Sequence, residues 1–444
     1  MITPRVLKGF RDYLPELMIQ KKEIINKLEN IFENYGFSPI DTPALEYTEI
    51  LLGKGSGETD KQIYRFDDHG GRDVSLRFDL TVPLARFVSL NYDKLIFPFK
   101  GYHIAPVWRG ENTQKGRFRE FFQCDFDILG TQSIESDIEI LLIIKSGMVK
   151  LNIGDFRINV NNRRILNSLL KKLDLLDKSV EILRTIDKIY KIGKENVIKE
   201  LVDNSKIDTK KIESILDSLN IDNNKNKILG EMIEAEIFVT LENLKTKLGN
   251  EYIESINETE YIFNTFKKLG ILKHFSFNPA ITRGLDYYTG VVFETFILNN
   301  VDFGSICSGG RYDNLVGLYS KNVVPGVGGS FGLDRLLALM ESHDLFNKKS
   351  SNSDILIFNI DSENFAKYFD LAETFRSNKV NAEVFYENKK IAQQFKYAEN
   401  KSIKYVLFAG NEEFNSNKFN LKDIKTGEEK KSLTIDEIIK IIKK

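Results

Sequence analysis

GRFREFFQCDFDILG, residues 116–130, alternates with a period of two. Arg117, Arg119, Phe121, Gln123, Asp125 and Asp127 fall on one side; Phe118, Phe122, Cys124, Phe126 and Ile128 fall on the other, with only Glu120 interrupting the apolar row. Successive side chains of a β-strand point to opposite faces, so the stretch predicts a strand with one face packed in a core. The second face carries two arginines, an amide and two carboxylates, beside Arg109 and Glu111 of WRGEN. Guanidinium groups pair with phosphate and carboxylate, and aspartate pairs with an ammonium or a ring N–H. Such a wall suits a zwitterionic ligand bearing phosphate; ordinary ion pairs on a surface strand are the competing reading.

Upstream, DVSLRFDLTV (73–82) sets Asp73, Ser75, Arg77, Asp79 and Thr81 opposite Val74, Leu76, Phe78, Leu80 and Val82, predicting another strand with one buried face. Its polar row reads equally as solvated surface or as more of the wall. ENTQKG, between Arg109 and Arg117, has the composition of a hairpin loop, and its flanking arginines suit a mobile lid. Earlier still, Ile24, Leu28, Ile31, Phe32 and Tyr35 recur at helical spacing until Gly36 stops them. In FSPIDTPALE (37–46), Pro39 and Pro43 forbid a helix and leave an edge strand or an interface segment.

Downstream, from about 165 to 270, lysine- and leucine-rich helical periodicity with polar turns such as NIDNNKN (220–226) predicts a helical insertion. Strand signals return in YYTGVVFETFIL (287–298), and PGVGGSFGLDRLLALME (325–341) predicts strand, turn, helix. Small residues before Arg335 at that helix start favour an anion there. In RGLDYYTG (283–290), Gly284 and Gly290 permit close backbone approach while Tyr287 and Tyr288 offer hydroxyls on rigid rings, although paired tyrosines are also common sheet residues. After a polar linker, KKSSNSD (348–354), a β-α-β-α-β series predicts a small α/β domain with a mostly parallel sheet.

The 444 residues exceed one compact domain of roughly 100–200 residues, so two or three folding units are expected. With 42% hydrophobic and 29% charged residues, the chain has material for real cores and no apolar run of the ~18 residues that a membrane span needs. MITPRVLKGFRDYLP lacks the apolar region of a secretory signal, which points to the cytoplasm. Only Cys124 and Cys307 occur, excluding a disulfide scaffold, and His69, His103, His274 and His343 lack ligand spacing, so no protein-held structural metal is expected. A net charge of -1 leaves any nucleic-acid contact to local basic patches.

In order, these segments resemble the three signature motifs of class II aminoacyl-tRNA synthetases. GFSPIDTPAL matches the first from Gly36 through Pro43 to Leu45; WRGE, a loop and RFREFFQCD match the second, with Arg109, Glu111, Arg117, Phe121 and Asp125 in place; GGSFGLDRLL matches the third, ending in Arg335. RGLDYYTG and SGGRYD (308–313) resemble the two stretches that set histidyl-tRNA synthetases apart. The resemblance implies an α+β fold: a class II catalytic core, an antiparallel sheet flanked by helices, over 1–165 and 251–347. A helical insertion domain would occupy 166–250 and a C-terminal α/β anticodon-binding domain 352–444.

The implied reaction is ATP-dependent ligation of L-histidine to its cognate tRNA through a histidyl-adenylate, releasing AMP and diphosphate. The implied enzyme is a homodimer joined largely by the first motif, with Mg2+ on the β- and γ-phosphates of ATP. Carried over by position, Arg109 holds the ATP α-phosphate and the substrate carboxylate, Glu111 meets the adenine amine, and Arg117 and Arg335 take the outer phosphates. Asp79, Leu80, Thr81 and Gln123 line the amino-acid pocket, the imidazole sits between Asp127 and Tyr288, and Tyr287 and Tyr312 stand nearby. Arg283 stabilises charge developing at the α-phosphate. A pocket that hydrogen-bonds both imidazole nitrogens rejects isosteres lacking them by roughly 10⁴, so no editing domain is expected.

Asp79 and Asp127 stand where many bacterial relatives carry glutamate, Gly110 where a basic residue is common, and Gly329 in an apolar slot of the third motif. A second reading is a regulatory paralogue that binds histidine and partners ATP phosphoribosyltransferase without charging tRNA. Retention of Arg109, Arg283 and Arg335, and of about ninety residues after the linker, weighs against it.

Overall fold

The computed structural model describes residues 1–53, 61–113, 116–219, 234–281, 287–346 and 349–444. Two compact units divide the chain: Met1–Arg11 with Ile24–Leu345, and Asp12–Glu23 with Phe346–Lys444. NIDNNKN, Arg283 and Gly284 of RGLDYYTG, and Gln114 and Lys115 of ENTQKG lie outside the described residues.

The first unit contains β1 (Ser38–Pro39), β2 (Leu45–Tyr47), β3 (Arg65–Asp67), β4 (Asp73–Leu76), β5 (Phe99–Trp108) and β6 (Glu120–Leu129). It continues with β7 (Phe156–Asn162), β8 (Phe275–Phe277), β9 (Val291–Ile297), β10 (Cys307–Tyr312) and β11 (Gly326–Gly332). Eight strands form one sheet in the order β1-β5-β6-β11-β10-β9-β7-β8. Every pair from β5 to β7 is antiparallel, while the outermost pairs, β1 with β5 and β7 with β8, are parallel. Pro39 sits in the two-residue edge strand, where its missing N–H leaves no gap in the ladder.

The apolar row of residues 116–130 packs as its period requires. Cys124 and Phe126 are fully buried, and the Phe126 ring lies 4.8 Å from Phe32 and 5.7 Å from Phe331. Phe32 belongs to the helix Pro15–Asn34, and the helix Ile134–Leu151 adds Ile140, Leu141, Ile143 and Ile144 to the buried core.

Residues 73–82 depart from expectation. The strand ends at Leu76, and Thr81–Leu90 form a helix. Pro83 lies in its first turn, where no intrahelical N–H is required, and the Asp79 carboxylate accepts the Val82 N–H at 3.0 Å, acting as a cap. Burial falls on both rows: Ser75, Arg77 and Asp79 are 0%, 3% and 6% exposed, and Val74 and Leu80 are 6% and 1% exposed. β4 instead joins a three-stranded sheet, β2-β4-β3. A second difference is that β11 passes from Gly332 directly into the helix Leu333–Ser342 without a turn.

Between β7 and β8, helices at Arg163–Lys172, Ser179–Ile186, Ile189–Ile192, Lys194–Ser205, Thr209–Ser218, Glu234–Leu248 and Glu254–Lys268 bury their apolar faces, with Ile182, Val197, Ile212, Leu216 and Leu241 at 1% exposure or less.

The second unit contains β12 (Ile355–Ile357), β13 (Ala382–Val384), β14 (Tyr405–Phe408), β15 (Phe419–Asp423) and β16 (Glu429–Leu433), ordered β13-β12-β14-β15-β16. The first three strands are parallel, and β15 and β16 add an antiparallel hairpin that the β-α-β reading did not include. The Asp423 carboxylate closes its turn by accepting the Lys425 and Thr426 N–H groups. Among the described residues no helix is long and apolar enough to cross a membrane.

Candidate active site

Directly opposed residues of an antiparallel pair share a face. The register sets Asp127 against Gly328, Asp125 against Ser330 and Gln123 against Gly332, while Gly310, Ser308 and Tyr312 of β10 oppose Gly328, Ser330 and Gly326. One sheet face therefore gathers Gln123, Asp125 and Asp127 of the predicted polar row with Tyr312 and a strip of small residues, while Arg117 and Arg119 precede the strand, which starts at Glu120. The strip makes room: a Cβ on Gly328 would lie 1.8 Å from Asp127 Oδ1. Any side chain there would displace the carboxylate.

Tyr312 Oη donates to Asp127 Oδ1 at 2.6 Å, and both residues are buried. Burial pushes the Asp127 carboxyl up to about 7, opposed by the Tyr312 bond. Asp125 is pushed well above the usual range by burial and then by the Asp127 charge. Asp79 also rises through burial, while the Val82 N–H and Arg109 pull the other way. Tyr287 hydrogen-bonds Thr81, and its ring lies 4.8 Å from Tyr288 and 6.1 Å from Tyr312. Burial raises the Tyr287 and Tyr312 hydroxyls well above their ordinary value, which keeps them as neutral donors.

Arg109 follows β5. Its guanidinium lies 4.3 Å from the Phe78 ring centre and 5.0 Å from that of Phe121, and its Nε donates to the Phe78 carbonyl at 3.1 Å. Burial lowers its hold on the proton, but Asp79 and Glu111 oppose this, and a guanidinium stays charged in any case. Arg117 pairs with Glu111 at 3.4 Å, Arg335 Nη1 donates to the Ser305 carbonyl at 2.5 Å, and Gly116 lies against the Arg335 side chain. Phe121, against Arg109, and Asp127 are separated along β6 by roughly 20 Å at ~3.3 Å per residue, so the face suits an elongated ligand.

The structure thus places Asp79, Leu80, Thr81, Gln123, Asp127, Tyr287, Tyr288 and Tyr312 in one region, where Leu80 is 1% exposed. Arg109, Glu111, Arg117 and Arg335 lie toward the start of β6. Three contributors escaped the sequence reading. Ser330 accepts from Gln123 Nε2 at 3.2 Å. Asp334, at the helix start, receives Arg11 at 2.6 Å and the Phe122 N–H at 2.8 Å, tying that helix to β6.

The third is Arg311, 4% exposed and bound to Asp137, to the Thr131 and Ser133 carbonyls and to Ser136 Oγ. Burial pushes Asp137 up to about 6, with Arg311 pulling it down. The end of RGLDYYTG rests on this pair. Thr289 N–H donates to the Arg311 carbonyl at 2.8 Å, Thr289 Oγ1 donates to Asp313 at 2.6 Å, and a Cβ on Gly290 would come within 3.1 Å of Arg311 Cδ. A weak signal was present: Arg311 follows two glycines in a strand segment, and Asp137 is one of three acids in the first two turns of an isoleucine-rich helix.

Comparison with known proteins identifies the family. A family model described as histidyl-tRNA synthetase matches residues 9–336, and one described as anticodon binding domain matches 354–444. A histidine–tRNA ligase of Treponema denticola is 47% identical over 409 residues, covering 92% of this chain and 89% of the relative. That of Rhodopirellula baltica is 43% identical over 430 residues, covering 96% and 95%. The crystal structure of histidyl-tRNA synthetase from Nostoc sp. PCC 7120 superposes with a TM-score of 0.87 at 31% identity, over 100% of this chain and 99% of that one. Relatives this similar over nearly the whole chain carry the ligase name, which disfavours the regulatory paralogue. The chain belongs to the histidyl-tRNA synthetase family, and its activity is the charging of tRNA with histidine.

Proposed function

We propose that the polar sheet face binds L-histidine around Asp79, Gln123 and Asp127 and ATP toward Arg109, Glu111, Arg117 and Arg335. A histidine carboxylate oxygen attacks the α-phosphorus, the bond to the β-phosphate oxygen breaks, and diphosphate leaves. The 3′-hydroxyl of the terminal tRNA adenosine then attacks the adenylate carbonyl and releases AMP. Fixed guanidinium groups favour the charge that builds at the α-phosphate, the role proposed for Arg109 and Arg283. Tyr312 holds Asp127 so that its free oxygen takes an imidazole N–H, with Tyr288 on the other edge. Asp79, Leu80 and Thr81 shape the amino-acid end, and Tyr287, bonded to Thr81, closes it.

The observation that carries this reading is the buried Asp127–Tyr312 pair, facing a glycine strip and flanked by two further buried carboxyls. Among the described residues no group of three or more His, Cys, Asp or Glu side chains is arranged to hold a metal. In this reading Mg2+ would come with ATP as part of the substrate and would offset the charge of its phosphates. The proposed domains are a catalytic core over 1–165 and 251–347, a helical insertion over 166–250 and an anticodon-binding domain over 352–444. Exposed Leu45, Tyr47 and Phe66 on the three-stranded sheet support a homodimer interface beside the first motif. Sedimentation of a monomer at micromolar concentration would refute that part. The proposed setting is the cytoplasm.

Exchange of labelled diphosphate into ATP, run with each of several amino acids, tests the central reading. Histidine alone is expected to drive exchange; failure with histidine overturns it.

A further inference from the structure

We infer that Asp125 is a positioning residue for recognition of the α-ammonium of histidine, acting through the Gln123 amide. The inference rests on the assignment of this face to histidine. Asp125 is 3% exposed, shares the face with Gln123 and Asp127, and directly opposes Ser330, to which it is hydrogen-bonded. Gln123 Nε2 donates to Ser330 Oγ at 3.2 Å and lies 3.4 Å from Asp125 Oδ1. Gln123 Oε1 is buried without a hydrogen-bond partner.

Ser330 alone leaves the amide orientation open, because a hydroxyl both donates and accepts. A carboxylate only accepts, so Asp125 selects the orientation that turns Nε2 toward itself and sends Oε1 the other way. If Asp125 is protonated with its O–H turned to Ser330, its second oxygen still accepts. A buried amide oxygen without a donor is a vacancy for an N–H group. Asp79 lies in the same region, and it too is an acceptor. Acceptors on different elements of one region match a primary ammonium, which carries three donors on one charged centre. An amide turned the other way would present N–H to N–H⁺.

The prediction separates ammonium recognition from general damage. The test measures KM for histidine and for ATP in diphosphate exchange, with inhibition by histamine, which keeps the ammonium, and by imidazolepropionate, which lacks it. Asp125→Ala is expected to weaken histidine and histamine by about tenfold, the size of one charge-assisted hydrogen bond, with imidazolepropionate and ATP changed less than about twofold. Asp125→Asn, which keeps an acceptor oxygen, restores part of the loss. Ser330→Ala, which deletes one hydroxyl, gives the same selective pattern at smaller size and guards against an Asp125 variant that fails to fold. Equal weakening of all three imidazole ligands, or no weakening, overturns the inference. Absence of histidine-dependent exchange in the unaltered protein instead overturns the assignment of the site.

Discussion

Asp127 shows how a single residue trades stability for recognition. Its carboxyl rises from 3.8 to about 7 on folding, chiefly through burial, so between those values the folded chain holds a proton that the unfolded chain has released. Stability therefore falls as pH rises through that window, and the full penalty, on the order of a few kcal/mol, is present above about 7. Asp127→Asn is expected to flatten the decline in melting temperature between pH 5 and 8 and to raise it at pH 7.5, while abolishing histidine-dependent exchange. An unchanged pH slope would show that the carboxyl is not the source. Tyr312→Phe leaves Asp127 without its donor, so KM for histidine should rise by about tenfold, the worth of a hydrogen bond to a charged group, with kcat less affected. The alternation of residues 116–130 made Gln123, Asp125 and Asp127 legible as one row. What alternation does not encode is whether the polar row is buried as well as the apolar one, because that depends on the elements alongside. Asp79 is the clear case: its row has the look of a solvated face and is buried.

The same limit holds for whole elements. Residues 73–82 satisfy a period of two throughout, yet Thr81–Leu90 form a helix, because Asp79 caps it and Pro83 tolerates its first turn. A window of ten residues cannot register a cap whose value appears only once the helix beyond it packs. The buried Arg311–Asp137 pair joins β10, the helix Ile134–Leu151 and the end of RGLDYYTG. Arg311→Leu leaves Asp137 buried and unpaired and is expected to cost about 3–5 kcal/mol in denaturant unfolding. Because the end of RGLDYYTG rests on Arg311, KM for histidine is also expected to rise in Arg311→Leu, and the double variant Arg311→Leu/Asp137→Leu should regain much of the stability while KM stays high. Recovery of both would reduce the pair to a packing device.

For the whole molecule, the three general motifs and two histidine-specific stretches foretold the architecture because each is local in sequence and resembles a family pattern with a known fold. The hairpin β15–β16 was not anticipated, since its strand β16 is largely exposed and lacks an apolar row. At the carboxyl end of β13 the second unit exposes Tyr386, Lys389 and Lys390. Ligands of open α/β sheets gather at carboxyl ends of strands, and lysines there suit a phosphate backbone. Lys389→Ala/Lys390→Ala should raise KM for tRNA severalfold and flatten its salt dependence, leaving diphosphate exchange, which needs no tRNA, unchanged; equal loss of exchange would contradict a role confined to RNA. The crowding of Asp79, Asp125 and Asp127 also bears on the lifetime of the protein. An occupant that supplies positive charge relieves their mutual repulsion, and a ligand at a hundred times its Kd adds about 2.7 kcal/mol to the folded state. Thermal scans should therefore show histidine protecting the protein more strongly than ligands without an ammonium. A cell starved of histidine would hold a synthetase that unfolds and is degraded sooner, so abundance would track amino-acid supply without any separate sensor.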